Sequence, residues 1–141
     1  MRYMTVPRFV DTNVLLYAVS TDPGEAAKRA TAEALFDDPD LALSTQVLGE
    51  FYVQATRSTR AARLTHNQAT AIIATMTRYP IQSITYTVVD AALASTDRHQ
   101  ISYWDAAIIE AARAAGCAEV WSEDLGDGRD YDGVTVANPF T

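Results

Sequence analysis

Four carboxylates, Asp11, Glu50, Asp105 and Asp124, stand beside core-forming residues rather than in polar stretches. Asp11 and Asp124 directly follow the apolar runs Phe9-Val10 and Val120-Trp121-Ser122, which read as buried strands. Glu50 and Asp105 fall in the first turns of helix-like segments with apolar flanks. Asp and Glu are rarely buried unless they are paired or bound to a metal, so this repeated placement points to one shared site. Carboxylates drawn together repel and raise one another's pKa values. A hard divalent cation such as Mg²⁺ relieves that repulsion, takes oxygen ligands and keeps several waters for exchange. Such an ion polarises a phosphoryl oxygen and activates an attacking water. Phosphodiester hydrolysis is the reaction this set suits best.

Each acid also has a plainer role open to it. Asp11-Thr12-Asn13 reads equally as a helix cap, because all three residue types favour that position. Asp124 reads as a polar loop residue. Glu50 shares a helix face with Gln46, Gln54 and Arg57, and pairing with Arg57 would contribute only a few tenths of a kcal/mol. Ser102-Tyr103-Trp104-Asp105 fits a capping pattern with an acid favoured by the helix dipole. Yet Asp105 lies on the stripe of Ile101, Ile108, Ile109 and Ala112, with no Lys or Arg in that segment before Arg113.

The elements that must position these residues alternate between strand and helix. Strands are expected at 8–10, 41–44, 119–122 and 134–137, with a short extended segment at 81–84. Helices are expected from Val14 to the turn signal Asp22-Pro23-Gly24, over 25–36, from a Thr45 cap to about Ser58, over 65–79, 88–99 and from a Ser102 cap to Gly116. Residues 124–133 read as a polar loop. The alternation implies an α/β fold, one domain over 1–141 with a mostly parallel central sheet flanked by helices on both faces. In such a sheet ligands bind beyond the carboxyl ends of the strands, where Asp11 and Asp124 fall.

At 141 residues with 48% hydrophobic content, the chain can bury roughly two-thirds of the surface its unfolded form exposes. A net charge of −7 repels nucleic acid as a whole-molecule field. That counts against a simple nucleic-acid binder but not against an enzyme that reaches phosphate through cations. Cys117 is the single cysteine, which excludes an intrachain disulfide and reads as a small buried hydrophobe. No apolar run reaches membrane-spanning length, so the expectation is a cytoplasmic protein without membrane contact.

Taken in order, Phe9-Val10-Asp11-Thr12-Asn13, Gly49-Glu50-Phe51, Trp104-Asp105-Ala106, Ser122-Glu123-Asp124-Leu125 and Val136-Ala137-Asn138-Pro139-Phe140 resemble the PIN-domain ribonucleases, most closely the VapC-type toxins of bacterial toxin–antitoxin pairs. The resemblance implies a Mg²⁺- or Mn²⁺-dependent endoribonuclease that cuts RNA, is inhibited by a cognate antitoxin and forms a homodimer. It makes Asp11, Glu50, Asp105 and Asp124 the metal-binding acids. It matches Ser122 to the family's hydroxyl residue before the last acid, and gives Thr12 or Asn13 the task of positioning a water at the metal. Where many relatives carry Asp-x-Asp-Phe, this chain has Asp124-Leu125-Gly126-Asp127, which leaves Asp127 between a supporting acid, a fifth ligand and a loop residue.

Ten of the eleven basic residues are arginine. Arg57, Arg60 and Arg63 would share one side if the Glu50 helix continued through them, and arginine suits phosphate. They read as an RNA clamp or as a solvated basic stretch, and Arg129 is a further candidate near Asp124. Competing chemistries fit less well. A receiver-type phosphoacceptor domain needs a late lysine, whereas Lys28 is the sole lysine. An aspartate-nucleophile phosphatase needs Asp at position 13, which is Asn. Metal-free acid–base cleavage would need His66 and His99, both at helix ends, and the loop after Asp124 lacks the calcium-loop order. The remaining alternative is a PIN-like module that binds RNA or protein without catalysis.

Overall fold

The structure, a computed structural model, describes residues 6–141, so the first five residues of the expected domain lie outside the described residues. In chain order the elements are β1 (Arg8–Val10), α1 (Thr12–Ala18), α2 (Ala26–Leu35), β2 (Leu41–Ser44), α3 (Thr45–Ala55), α4 (His66–Met76), β3 (Ile81–Gln82), α5 (Tyr86–His99), α6 (Tyr103–Ala114), β4 (Glu119–Trp121), β5 (Asp130–Tyr131) and β6 (Val134–Ala137).

Six strands form one sheet in the order β3-β2-β1-β4-β6-β5. Every pairing is parallel except that of β5 with β6. Phe9 lies between Ala42 and Val120 in register, and Val10 lies opposite Trp121. Phe9, Val10, Leu41, Leu43 and Val120 are fully buried, as expected of central parallel strands covered on both faces. α1 packs on α2 and α3, α3 on α4, and α5 on α6, and crossovers of the usual right hand set these two groups on opposite faces of such a sheet. Alanines make the second layer tight: Ala92 of α5 packs on Ala106 and Ala107 of α6.

The chain leaves β1 toward β2 and β3 in one direction, and β4 and β6 extend the sheet in the other. The reversal falls between β1 and β4. Their carboxyl ends therefore diverge into helices and turns on opposite faces, which opens the crevice where doubly wound sheets bind ligands.

Several boundaries differ from the sequence expectation. Ser44, not Thr45, caps α3 by accepting from the Val47 amide. The helix then ends at Ala55 instead of continuing to Ser58, so Arg57, Arg60 and Arg63 share no helix face. α4 ends at Met76 rather than Tyr79, and α5 begins at Tyr86, two residues early, behind a Thr85 cap. The expected polar loop contains β5, a two-residue strand whose only pairing among the described residues is with β6.

Candidate metal centre

Asp11 ends β1 and caps α1 in one stroke. Its Oδ1 accepts from the Thr12 amide at 2.7 Å, and its Oδ2 accepts from the Ser122 hydroxyl at 2.7 Å. The cap weighed from sequence is present and uses one oxygen, while the other oxygen accepts from Ser122 just after β4. Ser122 follows β4, is fully buried, and its Oγ also accepts from the amides of Asp124 and Leu125 at 3.1 and 3.3 Å. That turn brings Asp124 back toward α1, where Asn13 Nδ2 donates to Asp124 Oδ2 at 3.1 Å.

Glu50 arrives from α3. The hydroxyl of Thr12 donates to Glu50 Oε2 at 2.9 Å, and the Gln46 amide donates to Glu50 Oε1 at 3.0 Å. The same Gln46 amide reaches the carbonyl of Trp104 at 3.4 Å, which ties α3 to the start of α6. Asp105 is one residue further on, its amide bonded to the Ser102 cap. Thr12 thus links Asp11 with Glu50, Ser122 and Asn13 link the β1 end with Asp124, and Asp105 lies within electrostatic reach of Glu50 and Asp124. The neighbours of these acids are hydroxyls, amides and each other, and among the described residues none of the four forms an ion pair with Lys or Arg.

The electrostatics carry the mark of that proximity. Burial, opposed by the bonds from Ser122 and Thr12 and aided by the charges of Asp124 and Glu50, pushes Asp11 up to about 6. Burial and then the same two neighbours, Asp124 and Glu50, raise the Asp105 carboxyl as well, against the lowering bond from Ser102. The donor set is oxygen only, which fits a hard divalent cation that retains several waters. Among the described residues no group of three or more His, Cys, Asp or Glu side chains is placed so as to hold a metal ion as it stands. Thr12, Asn13, Ser122 and Gln46 hold the carboxylates of Asp11, Glu50 and Asp124 on neutral donors.

The other sequence candidates lie in varied places. Asp127 accepts from the Asn138 amide at 2.9 Å and is not bonded to any of the four acids. Arg57 lines an open concavity with Glu50 and Trp104. Arg60 stands 4.0 Å from Glu25, and Arg63 donates to the Thr56 carbonyl. Arg129 donates to the His99 carbonyl and stacks on Tyr131 at 4.5 Å. His66 bonds Tyr52, and His99 stands 3.4 Å from Asp132, so neither touches the carboxylates. Burial pushes the Cys117 thiol up to about 11, which makes it the inert hydrophobe expected.

Sequence reasoning missed a clamp on the Ser122–Asp124 turn. Lys28 Nζ meets Glu123 Oε2 at 2.6 Å, and the Tyr17 hydroxyl donates to Glu123 Oε1 at 2.6 Å. The ammonium also lies over the Tyr17 ring, 4.9 Å from its centroid. Burial pushes Glu123 up, but its bonds to Lys28 and Tyr17 outweigh that and hold it below the usual range.

A PIN-domain family model matches residues 8–126, and the chain belongs to that family. No curated protein matches it in sequence. Among solved structures it is similar to the Mycobacterium tuberculosis toxin VapC20, described as cleaving the Sarcin-Ricin loop, at 24% identity over 83% of this chain and 91% of that one, with a TM-score of 0.66. It is also similar to a toxin–antitoxin complex from Klebsiella pneumoniae at 18% identity over 94% and 97% of the two chains, with a TM-score of 0.67. FitAcB from Neisseria gonorrhoeae aligns at 19% identity over 94% and 98%, with a TM-score of 0.62. At these identities the likeness establishes the fold. Among the described residues no helix is long and apolar enough to cross a membrane.

Proposed function

We propose that the protein is a metal-dependent endoribonuclease of the VapC type, the toxin of a bacterial toxin–antitoxin pair. One observation supports the reading: at the switch point of the sheet Asp11, Glu50 and Asp124 are linked through Thr12, Asn13 and Ser122, Asp105 lies within electrostatic reach of two of them, and among the described residues none has a Lys or Arg partner. Asp11 is 7% exposed there, a placement that is unfavourable for an unpaired carboxylate. Asp11, Glu50, Asp105 and Asp124 would hold Mg²⁺ or Mn²⁺, which when bound supplies positive charge at the phosphoryl oxygens and activates water. Thr12 and Gln46 hold the Glu50 carboxylate in place, Ser122 orients Asp11, and Asn13 orients Asp124. The toxin–antitoxin neighbours support a cognate antitoxin as partner, and a homodimer in the cytoplasm completes the proposal.

The test is cleavage of a labelled total-RNA pool by the purified protein with Mg²⁺, with EDTA, and with Asp11→Asn as control. Cleavage that needs the metal and is lost in the variant supports the proposal. Cleavage that survives EDTA refutes it. That no group of three such side chains among the described residues is placed to hold a metal ion as it stands favours a second reading, a PIN-like module that binds RNA or protein without cutting. Metal-independent RNA binding with no cleavage of any RNA would favour that module.

A further inference from the structure

Beside Glu50 lies an open concavity of about 530 Å³ lined by Gly49, Glu50, Val53, Gln54, Arg57 and Trp104. Trp104 is 63% exposed, whereas the other tryptophan, Trp121, is 9% exposed within the core. The backbone that carries the exposed indole is tied down, and the ring has one aromatic neighbour. Trp104 sits in the first turn of α6, its carbonyl accepts from Gln46, and Tyr103 meets its ring edge-on with centroids 5.1 Å apart. An aromatic plane is thus presented at the surface one residue before Asp105.

Gly49 adds an independent observation. Glycine inside a helix costs stability relative to alanine, so its presence in α3 wants a reason. Its φ is not left-handed, and a Cβ built on it meets nothing within 4 Å. Neither backbone nor packing requires glycine there. What a Cβ would occupy is the concavity itself. Arg57, exposed just past the end of α3, has no side-chain hydrogen bond or ion pair among the described residues, so its guanidinium is available to an anion.

We propose that this concavity seats one unpaired nucleobase of the RNA substrate, stacked on Trp104, with its edge toward Gln54 and a phosphate on Arg57. The proposal rests on the nuclease reading and extends it, because a base held there brings its phosphodiester to Glu50 and Asp105. Aromatic stacking accepts any base, since each has a π face, and arginine suits phosphate. A base inside a duplex shows no free face, so the substrate is a single strand or a loop. A second protein copy fits less well: Glu50, Gln54 and Arg57 are polar or charged, and the cores of protein interfaces are depleted in charge.

The test uses the full chain carrying Asp11→Asn with Mg²⁺, titrated with a short single-stranded RNA of mixed sequence. Tryptophan fluorescence is expected to be quenched, and the quench to vanish in Trp104→Ala while the buried Trp121 still emits. Affinity is expected to fall roughly five- to hundred-fold in Trp104→Ala and to recover in Trp104→Phe. Gly49→Ala is expected to raise the melting temperature while weakening RNA binding. Unchanged affinity in Trp104→Ala and Gly49→Ala overturns the base site, as does a quench that follows protein concentration without RNA. Wild-type cleavage that persists undiminished in Trp104→Ala overturns the base site and leaves the nuclease standing. Trp104-dependent binding without any cleavage by the wild type keeps the base site and removes the nuclease.

Discussion

The Ser122 hydroxyl donates to Asp11 Oδ2 at 2.7 Å and so joins the carboxyl ends of β1 and β4. The same oxygen accepts from the Asp124 and Leu125 amides, so a single buried atom both aims one acid and folds the turn that delivers another. Ser122→Ala removes the donor and orphans those two amides. A loss of about 1–3 kcal/mol of stability is expected, with a further rise of the Asp11 pKa, because that bond is one of those lowering it. Urea unfolding of the two proteins measures the loss, and equal midpoints would refute this account of the turn.

Asp11 titrates at about 6 when folded, against the ordinary 3.8. An acid raised in this way binds its proton more readily in the folded state than in the unfolded one. Its stabilising contribution is complete below pH 3.8 and is lost as pH rises through about 6. The loss amounts to about 3 kcal/mol at 1.36 kcal/mol per pKa unit. In EDTA, melting temperature should therefore fall across this window, and Asp11→Asn should flatten the fall. Identical profiles for the two proteins would mean that Asp11 is not the group responsible.

Added metal should reverse that loss. A cation that binds the folded protein alone stabilises it by mass action, about 1.4 kcal/mol at ten times Kd. The rise in melting temperature is expected with Mg²⁺ or Mn²⁺ at neutral pH, is smaller near pH 5 where Asp11 holds its proton, and is absent in Asp11→Asn. A melting temperature that ignores millimolar Mg²⁺ and Mn²⁺ in the wild type would argue against a converged metal site.

Asp105 offers a sharper separation of structure from chemistry. Its carboxyl is raised by burial and by Asp124 and Glu50, while the helix cap itself is made by Ser102 Oγ with the Asp105 amide. Asp105→Asn keeps that cap and removes a like charge. The expected outcome is unchanged or higher melting temperature in EDTA with loss of RNA cleavage. Marked destabilisation would return Asp105 to a purely structural role at the start of α6.

The strands that place the acids were legible because their side chains face apolar layers on both sides. Phe9-Val10 and Val120-Trp121 read as buried runs, and an acid directly after each run marks a strand end. Asp105 of α6 was legible as an acid on an apolar stripe, whereas Glu50 of α3 was legible only as a carboxylate among apolar neighbours on a polar face. Other features are set by contacts far apart in sequence. β5 exists because Tyr131 pairs with Val134 and fills the core, fully enough to be 1% exposed, although its neighbours read as loop. The end of α3 is set where Leu64 returns to bond the Ala55 carbonyl, which no helix propensity announces. The lining of the concavity combines Gly49 with Trp104, and nothing local joins those two positions.

Lys28 and Glu123 are 95 positions apart, and their contact had no local signal at all. Glu123 lies between Ser122 and Asp124, so the clamp restrains the turn that carries both. Tyr17 backs the pair, and Phe140 closes on Tyr17 edge-on with centroids 4.9 Å apart. Because the pair is partly exposed to solvent, Lys28→Met should move the melting temperature little. Its effect should instead be a several-fold fall in kcat with little change in KM, since Asp124 becomes less well oriented while the RNA surface is untouched. Glu123→Gln should show the same split, and the double variant should fall no further than either single one if both act through one contact. Additive losses in kcat would mean that Lys28 reaches the substrate on its own account.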